Sequence, residues 1–106
     1  MKNKQINFTL FKEPWTITYR DVVSQESANG GEFTDGICNA EEFKIELATK
    51  TSNGNNKPAR YLEMVKLHEL VHCILSTGCY IEENRNEPLV EWIAKCLLDL
   101  KEQKII

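Results

Sequence analysis

The sequence contains no long apolar run. Its apolar stretches fall well short of the roughly 18–20 residues that a membrane-spanning helix requires. Lys2 and Lys4, near the start, are not followed by the apolar segment of a secretory signal. We therefore expect a soluble, cytoplasmic chain that makes no contact with a membrane.

Concentrated positive charge is also missing. Thirteen Lys and Arg residues are scattered along the chain and are outnumbered by sixteen Asp and Glu residues, which leaves a formal net charge of −3. Proteins that bind nucleic acid through its phosphates need a basic surface patch. Nucleic acid is therefore not an expected partner.

Cysteine pairs at metal-binding spacing are absent as well. The four cysteines, Cys38, Cys73, Cys79 and Cys96, include no Cys-x-x-Cys pair, so we expect free, buried thiols. A Cys73–Cys79 disulfide and a metal-binding role for Cys73 are the alternatives. Cys73 lies about 140° from His68 around a helix, and we therefore expect it to face away from a site on the His68 side.

The composition is that of an ordinary globular protein. Hydrophobic residues make up 42% and charged residues 27% of the 106 residues, and a chain of this length has room for one hydrophobic core. We expect a single domain that spans residues 1–106. Nothing in the sequence predicts the oligomeric state.

Apolar and polar residues alternate in three segments, which is the pattern of half-buried strands. These segments are residues 6–10, 15–19 and 43–47. Pro14 is expected to separate the first two strands, and residues 37–39 are compatible with a short extra strand. The polar run 24–36, which includes Asn29-Gly30-Gly31, has the composition of a long loop.

Two helices follow the strands. Asn56 as a candidate cap and Pro58 in the first turn predict a helix that runs to about Thr77, where Gly78 is expected to supply a left-handed residue. A second helix is predicted from about Asn86, a candidate cap, to about Lys101. The predicted buried face of the first helix is Met64, Leu67, Val71, Ile74 and Leu75. That of the second is Leu89, Trp92, Ile93, Cys96, Leu97 and Leu100.

These elements predict an α+β fold, with a small twisted sheet of three to four strands packed against the first helix and against a second, C-terminal helix.

The chain has only two histidines, and both lie on the first helix in the segment His68-Glu69-Leu70-Val71-His72. Residues four apart on a helix differ by about 40° in direction, so both imidazoles can point at one metal ion. Glu69 falls about 100° from His68, where it can reach a water on that ion and act as a general base. A single histidine on an apolar face is more often a satisfied core residue, but this pattern of three residues favours a metal site.

A catalytic zinc ion needs a third protein ligand and an open position for water. Positions three and six after His72 are Leu75 and Gly78, which excludes the extended three-histidine pattern. The third ligand must therefore be a carboxylate or a thiolate. The candidate carboxylates downstream are Glu82, Glu83, Glu87 and Glu91.

Two of these carboxylates stand out because they lie four apart at the start of the second helix. If Glu87 binds the ion, Glu91 can accept the ring N–H of a ligand histidine and fix its tautomer. The two roles can also be exchanged, and both residues also fit a solvated acidic helix start. Glu82 and Glu83 are expected in a polar loop.

With these residues the chain resembles the gluzincin group of zinc peptidases, which combine His-Glu-x-x-His with a glutamate on a following helix. The segment from Asn86 to Glu91 is similar to the thermolysin-like pattern Asn-Glu-x-x-x-Asp, with Glu91 in place of the aspartate. Across residues 14–98 the chain looks most like the small ImmA/IrrE-type and phage or prophage metallopeptidase-like proteins. In those proteins a sheet precedes the ligand helix and an acid-Trp-Ile-Ala segment follows, here residues 91–94.

The resemblance implies that His68, His72 and Glu87 hold Zn²⁺, that Glu69 activates water and that Glu91 orients His68. It also implies that an extended peptide binds along the edge strand before the ligand helix, which we expect to be residues 43–48. The expected activity is hydrolysis of peptide bonds in a peptide or protein substrate. Manganese or iron would also suit two imidazoles and a carboxylate. Residues available near the expected site to stabilise the oxyanion are Tyr61, Tyr80, Arg60 and Arg85.

Two other functions agree with the same residues. The chain could be a non-catalytic, possibly phage-encoded binding module that keeps the metal or only the fold and modulates a host or regulatory protein. Alternatively, the zinc could be purely structural, with Cys79 completing the four protein ligands that structural sites usually have.

Overall fold

A β-hairpin opens the computed structural model, which describes residues 4–25 and 32–106. β1 (Lys4–Leu10) and β2 (Glu13–Arg20) pair antiparallel. Phe11 and Lys12 form the connecting turn with left-handed φ angles of 49° and 69°, as the favoured two-residue hairpin turn requires. The expectation that Pro14 separates the strands is wrong, because Pro14 lies inside β2, opposite Thr9, near the strand start where proline is tolerated.

A second, smaller sheet lies within the segment expected to be a loop. β3 (Val23–Gln25) and β4 (Glu32–Thr34) pair antiparallel, with Val23 opposite Thr34. The loop prediction for residues 24–36 is therefore wrong at both of its ends, where ladder hydrogen bonds satisfy the backbone of polar residues. Asn29-Gly30-Gly31, expected in the middle of that loop, lies outside the described residues.

The main sheet has four strands in the order β1-β2-β6-β5. β6 (Lys44–Ala48) runs parallel to β2 on one side and antiparallel to β5 (Gly36–Asn39) on the other. The mixed sheet and the helices that follow confirm the predicted α+β class, including the extra strand near residue 37. The expectation that residues 43–48 form the edge is wrong, because β6 is hydrogen-bonded on both sides and the edge strands are β1 and β5.

Three helices complete the described chain: α1 (Ala59–Thr77), α2 (Ile81–Arg85) and α3 (Glu87–Glu102). The predicted cap Asn86 is confirmed, since its side-chain oxygen accepts the backbone N–H of Leu89 at 3.1 Å. The predicted cap Asn56 is wrong, because Pro58 occupies the N-cap position of α1. The expectation that Glu82 and Glu83 lie in a polar loop is wrong, because both belong to α2.

The end of α1 also differs from the prediction. Gly78 has a φ of −86°, and Cys79 is the left-handed residue with a φ of 63°. The backbone N–H of Tyr80 donates to the carbonyl of Leu75 and that of Cys79 to the carbonyl of Ser76, which is the Schellman pattern of helix termination. A Cβ at Gly78 would lie 2.9 Å from the Tyr80 ring, so any other residue there would require this ring to shift.

α1 lies between two hydrophobic clusters. On one side, Cys73 packs with strand residues such as Trp15, Ile45 and Leu47. On the other side, the cluster that joins α1 to α3 consists of Leu67, Val71, Val90, Ala94 and Leu98. Three residues expected to be buried, Ile74, Trp92 and Leu100, are exposed instead.

The cysteines are free, as predicted, but only Cys73 is buried and Cys79 is exposed. Cys73 lies in the cluster that faces the sheet, as expected from its angle to His68. Among the described residues, no helix has the length and apolar character needed to cross a bilayer.

Candidate metal centre

The candidate site lies where the first residues of α3 meet the middle of α1. Contacts between the two helices through the second hydrophobic cluster fix their relative position. The Asn86 cap fixes the first residue of α3, which is Glu87. Packing of one helix on the other thus brings a carboxylate from residue 87 to the histidines of α1.

His68 and His72 lie one helical turn apart with ring centroids 5.0 Å from each other. Glu87 contacts both rings: its Oε2 lies 3.0 Å from Nε2 of His68, and its Oε1 lies 3.1 Å from Nε2 of His72. Among the described residues, these three form the one group of three or more His, Cys, Asp or Glu side chains whose ligand atoms all lie within 4.8 Å of one another. The rings converge with a later carboxylate, as the resemblance implies.

The outer nitrogen of each ring has its own partner. Nδ1 of His68 donates to Oε2 of Glu91 at 2.8 Å, and Nδ1 of His72 donates to Oδ1 of Asn84 at 2.7 Å. A carboxylate and an amide oxygen only accept hydrogen bonds. Both Nδ1 atoms therefore carry the proton, and in the neutral rings the lone pairs lie on the two Nε2 atoms that face Glu87.

The three side chains can be held together either by protons on the Nε2 atoms, which then donate to Glu87, or by a metal ion. Two Nε2 lone pairs and an ionised carboxylate repel one another at distances near 3 Å unless a proton or a metal ion lies between them. Two imidazole nitrogens and a carboxylate oxygen are a ligand set that divalent zinc accepts. The residues therefore fit a zinc ion held by His68, His72 and Glu87.

Glu69 lies in the same cavity but outside this cluster. Its side chain is 7% exposed, and burial raises the pKa of its carboxyl, although His72 and His68 act in the opposite direction. The cavity has a volume of about 400 Å³ and is lined on its far side by Gly36, Ile37 and Cys38 of β5. Glu69 thus faces the space between the metal-binding residues and the sheet edge.

Gly36 allows this close approach of strand and helix. A Cβ at position 36 would lie 3.1 Å from Cγ of Glu69, 3.1 Å from Val65 and 3.0 Å from Leu47. Contacts as short as these force the neighbours to shift. The absence of a side chain at Gly36 therefore lets β5 lie directly against the helix at Glu69.

The other predicted site residues are not brought to the cluster. Glu82 and Glu83 lie on α2, are exposed, and do not belong to the donor cluster among the described residues. Cys79 is exposed and is likewise outside the cluster, which removes the support for a fourth protein ligand from that residue.

The four candidate oxyanion stabilisers have other contacts. Arg60 forms a two-point ion pair with Glu102, and neither Tyr80 nor Arg85 lines the cavities that contain His68. Tyr61 lines a neighbouring cavity with His68 and Glu69, but its hydroxyl donates to Asp35. None of the four donates a hydrogen bond towards the cluster.

Two residues of the site, Asn84 and Gly36, were not identified from the sequence. Asn84 reaches His72 only because residues 81–85 form a helical turn between α1 and α3. The one sequence feature that could have pointed to Asn84 is its position three residues before the candidate ligand Glu87. Gly36 had no local signal, because its role depends on a contact between β5 and α1.

Comparison of the chain with protein-family models, with curated proteins and with solved structures gives no match.

Proposed function

We propose that the protein is a zinc-dependent peptide hydrolase built on a minimal zincin-like fold. The observation that carries the proposal is the convergence of two imidazole Nε2 atoms and the Glu87 carboxylate in an open cavity. The same cavity contains a buried carboxylate, Glu69, that takes no part in the convergence. Ligands and general base are thus separate residues, as hydrolysis requires.

His68, His72 and Glu87 would hold the metal. A divalent ion at this position supplies Lewis acidity towards water and towards a substrate carbonyl. Glu91 and Asn84 keep the Nδ1 atoms protonated, so that the lone pair of each Nε2 is free to bind the metal. The donor set also accepts manganese or iron, and zinc is proposed because it favours this mixture of imidazole and carboxylate ligands.

Glu69 acts as the general base. Burial raises the pKa of its carboxyl, which makes the carboxylate a stronger acceptor for a proton from water in the cavity. The hydroxide left by this transfer attacks the carbonyl carbon of the scissile bond. The protonated side chain then gives its proton to the amide nitrogen as the C–N bond breaks and the amine leaves. Enclosure between α1 and β5 limits the movement of the side chain during both transfers.

The substrate would bind along β5. Within the described residues, β5 is one of the two terminal strands of the main sheet, and its residues line the cavity of His68, Glu69 and His72. An extended peptide can add to an exposed strand edge through backbone hydrogen bonds. The scissile bond of such a peptide lies over Glu69, which is next to Gly36.

The test compares wild type with Glu69→Gln on a peptide library, after elemental analysis has matched the zinc content of the two proteins. Glu69→Gln is expected to lose at least about a hundredfold in turnover, because the amide cannot accept the proton. Glu83→Gln, on an exposed face of α2, is the matched control and should keep full turnover. Equal turnover of Glu69→Gln and wild type contradicts the proposal.

A second candidate function is a non-catalytic binding module that acts on a protein partner. It is favoured by one observation: none of the four predicted oxyanion stabilisers donates towards the cluster. In this case Glu69→Gln leaves partner binding unchanged in a pull-down, whereas substitutions on the exposed surface of β5 weaken it. A hydrolase instead shows turnover that depends on Glu69.

A further inference from the structure

A cavity of about 410 Å³ lies outside the metal centre and is not used by the proposed reaction. Part of its wall is apolar and comes from the β3 start, the β6 end and the residue before α1, namely Val22, Val23, Ala48 and Pro58. Its other side carries two lysines, Lys50 and Lys57, with the hydroxyls of Thr51 and Ser52. The cavity therefore combines an aliphatic surface with positive charge.

Lys57 is the unusual residue of this cavity, because its side chain is only 9% exposed. Its ammonium donates to Oδ1 of Asp35 at 2.7 Å and lies 5.8 Å from the centre of the Tyr61 ring. An ammonium has three donor hydrogens, and Asp35 is its one hydrogen-bond acceptor among the described residues. Because Lys57 lines the cavity, a negatively charged group bound there can accept a further hydrogen bond from its ammonium.

Asp35 does not neutralise the cavity fully. Its second carboxylate oxygen accepts the hydroxyl of Tyr61, so the single negative charge of Asp35 is shared between two donors. Lys50 and Lys57 together bring two positive charges against this one carboxylate. The lining carries an excess positive charge on a chain whose formal net charge is −3.

The lysine-lined cavity and the metal centre both border on a smaller cavity. This cavity of about 240 Å³ shares Thr34, Asp35 and Tyr61 with the lysine-lined cavity and Gly36, His68 and Glu69 with the metal centre. The shared wall is the segment that leads into β5. A peptide bound along β5 would therefore extend into the lysine-lined cavity.

We infer that the lysine-lined cavity binds a carboxylate of the peptide substrate. The Lys57 ammonium donates a further hydrogen bond to this carboxylate, and Lys50 adds a second positive charge. The apolar wall contacts the aliphatic part of the same substrate residue. The inference extends the proposed function, since it assumes that the ligand is a peptide. The carboxylate belongs either to the C-terminus of the peptide or to a Glu or Asp side chain.

The experiment measures binding to the metal-free full chain in the presence of a chelator, by NMR titration of the ¹⁵N-labelled protein. The probes are acetyl-leucine, which has only a terminal carboxylate, acetyl-glutamic acid α-amide, which has only a side-chain carboxylate, and acetyl-leucinamide, which has neither. At least one carboxylate probe should bind at least about tenfold more tightly than acetyl-leucinamide. The backbone signals that shift should include those of Thr51, Ser52 and Lys57. The carboxylate probe that binds more tightly shows whether the site takes a C-terminal or a side-chain carboxylate.

Variants then test the assigned residues. Lys57→Met keeps an aliphatic side chain and should weaken carboxylate binding at least about tenfold. Lys50→Met should weaken carboxylate binding less than Lys57→Met does. If Lys57→Met does not fold, Lys50→Met becomes the decisive variant. Lys44→Met is the matched control, because Lys44 is exposed and pairs with Glu42; it should bind like wild type.

Three results overturn the inference: equal binding of acetyl-leucinamide, wild-type affinity in the folded Lys57→Met and Lys50→Met variants, or signal changes confined to residues 68–72. The outcome is independent of catalysis, because the protein contains no metal and turns over no substrate in this experiment. If no carboxylate binds, the inferred carboxylate site is wrong but the proposed hydrolase activity is unaffected. If a carboxylate does bind, the site stands even if Glu69→Gln proves fully active.

Discussion

At the scale of single residues, the two histidines of the candidate metal centre differ in what holds their outer nitrogen. Nδ1 of His68 donates to the charged Glu91, whereas Nδ1 of His72 donates to the neutral Asn84. A charged acceptor polarises the ring more strongly than a neutral one. His68 should therefore be the stronger metal ligand of the two histidines. Asn84 acts mainly by fixing the ring orientation and the tautomer of His72.

Asn84→Ala should weaken zinc binding by about 10–100-fold, as is typical when an outer hydrogen-bond partner of a ligand histidine is lost. Without the Oδ1 acceptor, His72 can rotate or carry its proton on Nε2, which removes the lone pair. The measurement is the zinc dissociation constant, obtained by competition with a chromophoric chelator.

The control for this prediction is Asn53→Ala, which alters an exposed turn residue far along the chain from α2. Asn84→Asp should restore the affinity, because a carboxylate at this position accepts the same hydrogen bond. If Asn84→Ala and Asn53→Ala bind zinc equally well, the role assigned to Asn84 is wrong.

At the scale of elements, the end of α1 depends on a residue in an unfavourable backbone conformation. Cys79 has a φ of 63°, and a non-glycine residue pays about 1–2 kcal/mol for that conformation. Cys79→Gly should therefore raise the free energy of unfolding by about 0.5–1 kcal/mol, after allowance for the greater freedom of glycine in the unfolded chain. Chemical denaturation under reducing conditions measures the change.

Cys79→Ala separates the backbone effect from the loss of the thiol. This variant also removes the sulfur but keeps a Cβ at the left-handed position, so it should gain no stability. A stabilisation of Cys79→Ala equal to that of Cys79→Gly would show that the conformation of residue 79 is not the cause.

The elements also show which features of this fold are predictable from the sequence. Strict alternation located β1, β2 and β6, and the Asn86 cap located the start of α3, because both signals are local. The buried face of α3 was misjudged because apolar residues cover most of its circumference, so the periodicity does not define the centre of the stripe. Packing on α1 selects the small Ala94 with Val90 and Leu98, and leaves Trp92 exposed.

The candidate site divides in the same way. His68, Glu69 and His72 were identified because an i, i+4 relation on a helix is fixed by local geometry. Choosing Glu87 before Glu91 as the ligand depended on the resemblance, and the positions of Asn84 and Gly36 depend on contacts between elements far apart in sequence. Those contacts leave no periodic pattern in the chain.

At the scale of the whole molecule, two carboxylates tie elements together. Asp35, before β5, accepts from Lys57 and Tyr61, and Glu63 of α1 accepts from Lys101 of α3 and pairs with Lys66. Burial alone would raise the pKa of both carboxyls, but the hydrogen bonds and the lysine charges outweigh it and hold each pKa below its ordinary value.

A depressed pKa in the folded state means that the stabilisation is present above the unfolded pKa values of 3.8 and 4.5. It is lost as the pH falls through the lower folded values. We expect the free energy of unfolding of the metal-free protein to decrease as the pH falls below about 4.5. Asp35→Asn with Glu63→Gln should flatten this dependence and cost about 0.5–2 kcal/mol at neutral pH, since solvent screening keeps such pairs weak.

Denaturation at a series of pH values gives the slope for each protein. The control is Glu41→Gln, an exposed residue without an ion pair among the described residues, which should reproduce the wild-type slope. A double variant that keeps the full wild-type slope would show that other groups cause the acid sensitivity.

The metal itself should stabilise the molecule, because its proposed ligands come from two helices that an unfolded chain does not hold together. An ion that binds only the folded state at a free concentration of a hundred times its dissociation constant adds about 2.7 kcal/mol. For a chain of this size, that corresponds to a rise in melting temperature of roughly 10–20 °C. Zinc should therefore raise the melting temperature in a concentration-dependent way, and a chelator should reverse the effect.

The variant Glu87→Gln tests whether the carboxylate at the start of α3 takes part, and Glu83→Gln on α2 is its exposed control. On addition of zinc, Glu83→Gln should gain the full wild-type rise, while Glu87→Gln should gain less than half of it. An equal rise in both variants would mean that zinc binds elsewhere, and the link between α1 and α3 through Glu87 would then be wrong.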